Sequence, residues 1–408
     1  MSDKTTNGPA IRFKGFTDAW EQCKLMEVGE IVTGSTPPTS NADNYSSDGS
    51  PWITPTDIKS QTISDSPKKL SAQGESISRM VPAGTILVTS IASIGKNTML
   101  TVRGSFNQQI NGVVPNENND SYFLLTMSEI WSKKMKSFAS SGTMQIVNKT
   151  EFSKMKFEFP KSKREQTQIG QFFAKLDDLI ALHQREYDKT VNIKKAMLEK
   201  MFPKDGEDKP EIRFDRFTDA WEQRKLGEVT DRVRGNDGRM DLPTLTMSAG
   251  NGWMNQIDRF SGNIAGKEQK NYTLLSKSEL SYNHGNSKLA KYGVVFELKD
   301  YEEALVPRVY HSFKSNDKSV PLFLEYIFAT KQPDRELGKL VSSGARMDGL
   351  LNINFDDFMG IKIKLPAIDE QKKISSFFKQ LDDLIALHQH ELELMKIIKK
   401  SLLKAMFV

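Results

Sequence analysis

Two stretches of the chain carry apolar residues at alternating steps of four and three. In the later one these are Ile374, Phe378, Leu381, Ile385, His388, Leu392 and Met395, with Leu402 and Met406 continuing the stripe. In the earlier one Ile169, Phe173, Leu176, Ile180, His183 and Tyr187 match them position for position. Thr190 and Lys194 then interrupt, and Met197 and Met201 resume. This is the spacing of a coiled-coil seam, and it predicts helices over roughly Glu165 to Phe202 and Glu370 to Phe407. A helix of that length with one apolar stripe has to bury the stripe against a partner. Each of these helices has its own copy at hand, so the expectation is an antiparallel pair related by a pseudo-twofold axis.

Between the long helical stretches the period changes. Trp52-Ile53-Thr54, Thr85 to Thr89 and Gly112-Val113-Val114 read as short strands separated by turns at Pro37-Pro38, Pro82-Ala83-Gly84 and Ser141-Gly142. A helix is expected between Ser121 and Phe138. The later part repeats this grammar, with strands at Lys291 to Phe296 and Ala304 to Val306, a helix near Leu322 to Thr330, and Ser342-Ser343-Gly344 placed like Ser140-Ser141-Gly142. The fold class is therefore α+β. Two globular domains, 26–160 and 227–365, alternate with a frame made of an N-terminal segment 1–25, a central long helix 161–204, a linker and repeated segment 205–226, and a C-terminal long helix 366–408.

The frame is duplicated almost letter for letter. Leu176-Asp177-Asp178-Leu179-Ile180-Ala181-Leu182-His183-Gln184 returns unchanged as Leu381 to Gln389, each copy preceded by Phe-Phe and Glu-Gln. Ile11 to Leu25 returns as Ile212 to Leu226 with 12 of 15 residues identical. The sequence between the copies differs, which implies two modules with variable contents on a shared frame.

Charge alters this picture little. The net charge is +5, yet residues 26–160 carry 12 Lys and Arg against 12 Asp and Glu, and residues 227–365 carry 19 against 18. Any affinity of the two domains for nucleic acid must come from local patches. No apolar run is long enough to span a bilayer, and Met1 to Pro9 lacks the order of a signal peptide, so a cytoplasmic location and no membrane contact are expected. The single cysteine, Cys23, is replaced by Arg224 at the equivalent position of the repeat, which argues against thiol chemistry.

No phosphate-binding glycine loop is present, and no nucleophile stands beside a base. Five histidines show no paired metal-ligand spacing; His388 and His390 lie two apart on one helix and face different ways, so no metal site is expected. His183 and His388 read as polar seam residues that register the helix pair, and Asp177-Asp178 and Asp382-Asp383 as solvated or partner-facing. The chain is expected to be non-catalytic.

Two variable domains alternating with repeated long helices, the Glu-Gln…Phe-Phe…Leu-Asp-Asp-Leu-Ile-Ala-Leu-His-Gln run in each, and Phe-Thr-Asp-Ala-Trp-Glu-Gln opening each module resemble the DNA specificity subunit of type I restriction-modification systems. Asn107 to Pro115 and Tyr282 to Ser287 carry family-like detail. The resemblance implies that each domain recognises one half of a split, asymmetric target in double-stranded DNA. It also implies that the helices set the distance between the halves. Two copies of a modification (methyltransferase) subunit would dock on them, joined by a restriction-translocase subunit. S-adenosylmethionine, ATP and Mg²⁺ would belong to those partners, and none to this chain.

Base-edge and phosphate contacts are expected from Gln108, Gln109 and Asn111 with Ser141, Thr143 and Gln145 in the first domain. In the second they are expected from Asn283, His284, Asn286, Lys288, Arg308 and Arg346. Gly142 and Gly344 would allow tight turns there. Lys175, Asp178, Arg185, Lys189, Lys379, Gln380, Asp383 and Glu391, expected on exposed helix faces, are the candidate partner-docking residues. Two other readings stand beside this one: a scaffold that binds proteins rather than DNA, and a DNA methyltransferase in its own right, which the missing Asn-Pro-Pro-Tyr-type motif disfavours.

Overall fold

The computed structural model describes residues 8–140, 146–260, 266–285, 287–341 and 351–408. The chain divides into two units, residues 1–185 with 388–408, and residues 186–387. The division falls inside both long helices, Lys163–Lys200 and Ile368–Ala405, so each unit takes a part of each. Among the described residues, no helix is long and apolar enough to cross a membrane.

In the first unit a five-stranded sheet runs in the order Gly29–Thr33, Ile110–Pro115, Ile86–Thr89, Asn97–Leu100, Thr62–Ile63. The first four strands are antiparallel, with Val113 opposite both Ile31 and Ile86. Ile31, Ile86 and Val113 share one buried face, and the other face of the central strands is buried too, through Leu87, Leu100 and Ile110. The helix Ser121–Ser140 covers the face of Ile31, Ile86 and Val113 through Phe123, Leu124, Met127, Trp131 and Met135, all buried.

The second unit repeats the plan. Its four-stranded sheet runs Thr230–Val233, His311–Ser315, Leu280–Asn283, Val294–Glu297, and the helix Pro321–Ala329 packs on it through Phe323, Leu324 and Ile327. Pro321 opens that helix at a position where its missing N–H costs nothing.

Both units contain a two-stranded ribbon that sequence periodicity did not announce. Glu21–Lys24 pairs with Lys156–Phe159 in the first, and Glu222–Lys225 with Lys362–Leu365 in the second. The first strand of each is the polar Glu-Gln-x-Lys of the repeated opening segment. Its side chains are mostly exposed, so it carries no apolar alternation to read.

The long helices run antiparallel within each unit. In the first, His183 lies against His388, Asp177 against Lys399 and Phe173 against Phe407, so numbers fall on one helix as they rise on the other. In the second, Lys194 meets Asp382 and Phe202 meets Phe378. The chain's last helix therefore closes the core of the first unit. Phe407 stacks on Phe123 at 5.6 Å and meets Trp20 edge-on at 6.0 Å. Phe202 does the same in the second unit, stacked on Phe323 at 5.6 Å and against Trp221 at 5.7 Å. Aromatic groups of this size supply a large share of a core's apolar area.

The repeated Glu-Gln pair locks this frame. Glu165 accepts a bidentate bond from Arg12 at 2.7 and 2.8 Å and a third from Trp20 Nε1 at 3.3 Å. Glu370 accepts the same fork from Arg213 at 2.7 Å twice. Hydrogen bonding to each carboxylate raises the pKa of its guanidinium. Gln166 accepts from Asp120 N and donates to Asn119 Oδ1, both at 3.0 Å, while Gln371 accepts from Val320 N at 3.0 Å and donates to Lys318 O at 3.1 Å. Each Gln thereby fixes the start of its unit's sheet-covering helix.

Candidate nucleic-acid interface

In the second unit, three arginines converge on one concavity of about 540 Å³. Arg232 and Arg234 come from the edge strand and the turn that follows it, and Arg308 from the loop before His311–Ser315. All three side chains are exposed, and no Asp or Glu stands among the described residues that line the hollow. The Arg232 guanidinium lies over the Phe355 ring, 3.9 Å from its centroid, which holds it in a flat, presented orientation. Phe355 is itself placed by Asn354, whose side chain caps the short helix Phe355–Met359 by accepting from Asp357 N at 2.8 Å. Guanidinium forks in this setting suit phosphate oxygens and the O6/N7 edge of guanine.

His311 forms the floor. Its Nε2 lies 2.9 Å from Ile353 O, which as a carbonyl can only accept, so the ring carries its proton there. Burial holds the pKa of this imidazole below its ordinary value.

The expected contact residues of this unit separate. Arg308 lines the hollow and His284 its wall, where His284 is 4% exposed and packs 4.9 Å from the His311 ring. Its burial leaves it a packing role rather than the base contact expected of it. Asn283 and Lys288 belong instead to a second concavity of about 390 Å³, with Arg259, Ser287 and the exposed Leu289. His284 follows the end of the strand Leu280–Asn283 and packs 6.0 Å from the Tyr282 ring, while the Asn283 side chain reaches Met247. Asn283 is half committed, donating to Met247 O at 3.3 Å and accepting from Gly285 N at 3.1 Å. Asn286 and Arg346, with Gly344, lie outside the described residues.

In the first unit, Asn111 does not serve as a reading residue. It is 1% exposed in the middle strand, donates to Val147 O at 3.2 Å and accepts from Thr33 Oγ1 at 3.0 Å, so it is a strut within the sheet. Gln109 is partly buried and accepts from Asn107 Nδ2 at 3.2 Å. Gln108 is exposed and accepts from Thr36 Oγ1. Beside it runs Arg79, whose guanidinium donates to Thr33 O at 2.7 Å and whose N–H donates to Ser35 Oγ at 2.9 Å. Gln108, Thr36 and Arg79 thus form an exposed polar edge. Ser141, Thr143 and Gln145, with Gly142, lie outside the described residues.

Sequence reading missed Arg232, Arg234 and Arg79. Arg232 and Arg234 lie in and just after an edge strand and Arg79 in the loop after the helix Ala72–Ser76, and only the fold gathers them with their neighbours.

On the long helices, Lys175, Asp178, Arg185, Lys189, Lys379, Gln380 and Asp383 are exposed as expected. Lys379 pairs with Asp383 at 2.7 Å and Lys189 with Glu186 at 3.7 Å. Glu391 is a correction: it turns into the helix pair, 3.0 Å from His183 Nδ1. Asp177 and Asp382 also depart from the solvated reading. Asp177 accepts from Tyr122 Oη at 3.1 Å and meets Lys399 at 2.7 Å, while Asp382 accepts from Tyr326 Oη at 2.7 Å and pairs with Lys194. Burial raises the Asp177 carboxyl despite Lys399, and burial beside these carboxylates raises both tyrosines. Between them the helices also show apolar residues to solvent at matched positions: Leu179 and Leu182 in the first unit, Leu384 and Leu387 in the second.

Among the described residues, one group of three has the ligand chemistry for a metal ion: His183, His388 and Glu391 in the first unit. It forms between helices, where spacing along one helix does not show it.

The chain matches the family model described as type I restriction modification DNA specificity domain twice, over residues 17–190 and 218–396. It is 33% identical over 147 residues to the type I restriction enzyme HindI specificity subunit of Haemophilus influenzae, a stretch covering 35% of this chain and 32% of that protein. It is 30% identical over 173 residues to the MjaIX specificity subunit of Methanocaldococcus jannaschii, covering 40% and 38%. The matched stretches thus span well under two thirds of those relatives. The type I restriction-modification S subunit of M. genitalium has the same fold, with a TM-score of 0.63 at 12% identity over 98% of this chain and 99% of that one. With both sheets and most of both long helices inside the matched residues, the chain belongs to the type I restriction modification DNA specificity family.

Proposed function

We propose that this chain is the non-catalytic, sequence-specific DNA-binding subunit of a type I restriction-modification complex, each unit recognising one half of a two-part asymmetric target. The observation that carries the reading is the hollow of Arg232, Arg234 and Arg308, cationic side chains gathered without a lining carboxylate in a chain of this family. The first unit presents the Gln108, Thr36 and Arg79 edge on a related sheet with different loops. Different loops on a common frame give two different half-sites, and so an asymmetric target. The reading places adenine methylation and restriction on partner subunits, which would bring S-adenosylmethionine, ATP and Mg²⁺, and places the complex in the cytoplasm.

The long helices serve as docking faces for two copies of the modification subunit, one per unit, with a restriction-translocase subunit added to that assembly. Exposed Leu179 and Leu182 with Lys175, Asp178 and Arg185 make one face; Leu384 and Leu387 with Lys379, Gln380 and Asp383 make the other. This accounts for the outward residues of the nine-residue repeat, which the seam does not use.

A genome-wide methylation map in cells with and without the chain tests the reading. One bipartite motif should lose its methylation on deletion. An unchanged map, together with no sequence-dependent retention of DNA by the purified complex at any salt, would leave the protein-binding scaffold as the better account.

A further inference from the structure

We propose that His183, His388 and Glu391 form a binding site for a divalent transition-metal ion of the zinc type, which ties the two long helices together within the first unit. His388 and Glu391 stand three residues apart on one helix and so share a face. His183 reaches the same point from the antiparallel helix. Its Nδ1 is 3.0 Å from Glu391 Oε2, and the Nδ1 of His388 is 3.6 Å from the same oxygen. One donor atom from each residue falls within 4.8 Å of the other two.

What separates this cluster from a polar seam contact is its geometry. Were it a register device, an imidazole N–H would point along a hydrogen bond to the carboxylate. Instead both Nδ1 atoms are buried and neither has a hydrogen-bond partner. Two imidazole nitrogens lie close to one carboxylate oxygen, with no other polar partner for either nitrogen. Zn²⁺ holds His N and carboxylate O at about 2.0–2.2 Å, which in a tetrahedron puts donor atoms about 3.3 Å apart. The observed 3.0 and 3.6 Å straddle that separation. The donor set has imidazole and oxygen but no thiolate, which suits Zn²⁺, Co²⁺, Ni²⁺ or Cu²⁺ over Mg²⁺ or Ca²⁺. The side chains are 21%, 20% and 36% exposed, which places the cluster at the edge of the helix pair rather than deep in a core.

The duplication explains the pairing. His183 and His388 are the same letter of the repeated nine residues, and antiparallel packing brings that letter opposite itself. A histidine needed only in one copy would not create the site; a repeated one does so automatically.

The test titrates the full chain, carrying no polyhistidine tag, with Co²⁺ and then Zn²⁺. One equivalent should bind with the visible absorption of a four-coordinate cobalt ion, be displaced by Zn²⁺, and raise the melting temperature relative to chelator-treated protein. His183→Gln, His388→Gln and Glu391→Gln should each weaken binding by ~10-fold or more, while His390→Gln, an exposed histidine outside the cluster, should leave it unchanged. Melting in chelator checks that the variants fold. A variant that is unfolded there is replaced by its Asn counterpart. Absence of four-coordinate cobalt in the wild type, equal binding by the histidine variants, or equal loss with His390→Gln would overturn the site.

Discussion

Lys399 Nζ lies 2.7 Å from Asp177 Oδ1, an ion pair that joins the end of the second long helix to the middle of the first with about a tenth of each side chain exposed. Glu129 at 2.5 Å and Tyr122 at 3.1 Å complete the network, bringing in the sheet-covering helix. Burial alone would depress the lysine, but Glu129 and Asp177 hold its pKa above the usual value. Removing Lys399 leaves the buried Asp177 without a cation, whereas removing Asp177 leaves Lys399 still paired with Glu129. Lys399→Met should therefore destabilise the first unit by about 3–5 kcal/mol and Asp177→Leu by less, and the double substitution should cost less than the sum of the two. Denaturant melts of the four proteins measure this, and additive losses would show that the pair is not coupled.

The frame was legible because it is written twice. The four-and-three spacing from Ile169 to Tyr187 and from Ile374 to Met395 locates both helices and their seam, and burial of Phe173, Phe378 and Leu392 agrees. What spacing could not show is which polar letters of the repeat turn inward. Asp177 and Asp178 are adjacent and look alike in sequence. Only the antiparallel register, which sets Lys399 and Tyr122 beside the first of them, tells them apart. The candidate interface was less legible. Arg308 lines the hollow, but Asn111 is buried, because a strand asparagine that braces its neighbours has the same letter as one that reads a base. Arg232 and Arg234 carry no sequence signature, since their meaning depends on an edge strand folding beside a distant loop.

His311 should make the second unit sensitive to mild acid. Its folded-state pKa is depressed by burial below the ordinary 6.5, so the stability tied to the neutral ring is present above that value. It is lost as pH falls through the folded pKa, because the unfolded chain takes up a proton that the folded ring refuses. Melting temperature should fall on acidification below 6.5, and His311→Gln should flatten that part of the profile. An unchanged slope in the variant would assign the acid response elsewhere.

Leu182 and Leu387 occupy the same place in the two copies and are 45% and 49% exposed. Placing a charge there should leave the isolated chain's stability within about 0.5 kcal/mol, since neither side chain is buried. Against a partner that covers them, Leu182→Asp or Leu387→Asp should weaken association by about 10-fold or more, with the double variant weaker still. Co-purification and sedimentation with the modification subunit check this. Full association of the double variant would move the docking face off these positions.

Arg308 is exposed at the rim of the arginine hollow, and neither its position in a loop nor its neighbours tie it into the core. If it meets a phosphate, Arg308→Ala should weaken binding to every sequence about equally and reduce the slope of log affinity against log salt by ~1. If it forks onto a guanine, the loss of about 1–3 kcal/mol should fall on one base position of one half-site and leave the other half-site untouched. Arg232→Ala discriminates further, because the Phe355 ring fixes its guanidinium and a base contact there would be lost together with that orientation. Binding of the full complex to a panel of single-base target variants at two salt concentrations separates these outcomes. Unchanged affinity and unchanged salt slope in both arginine variants would remove the hollow from the DNA-binding surface.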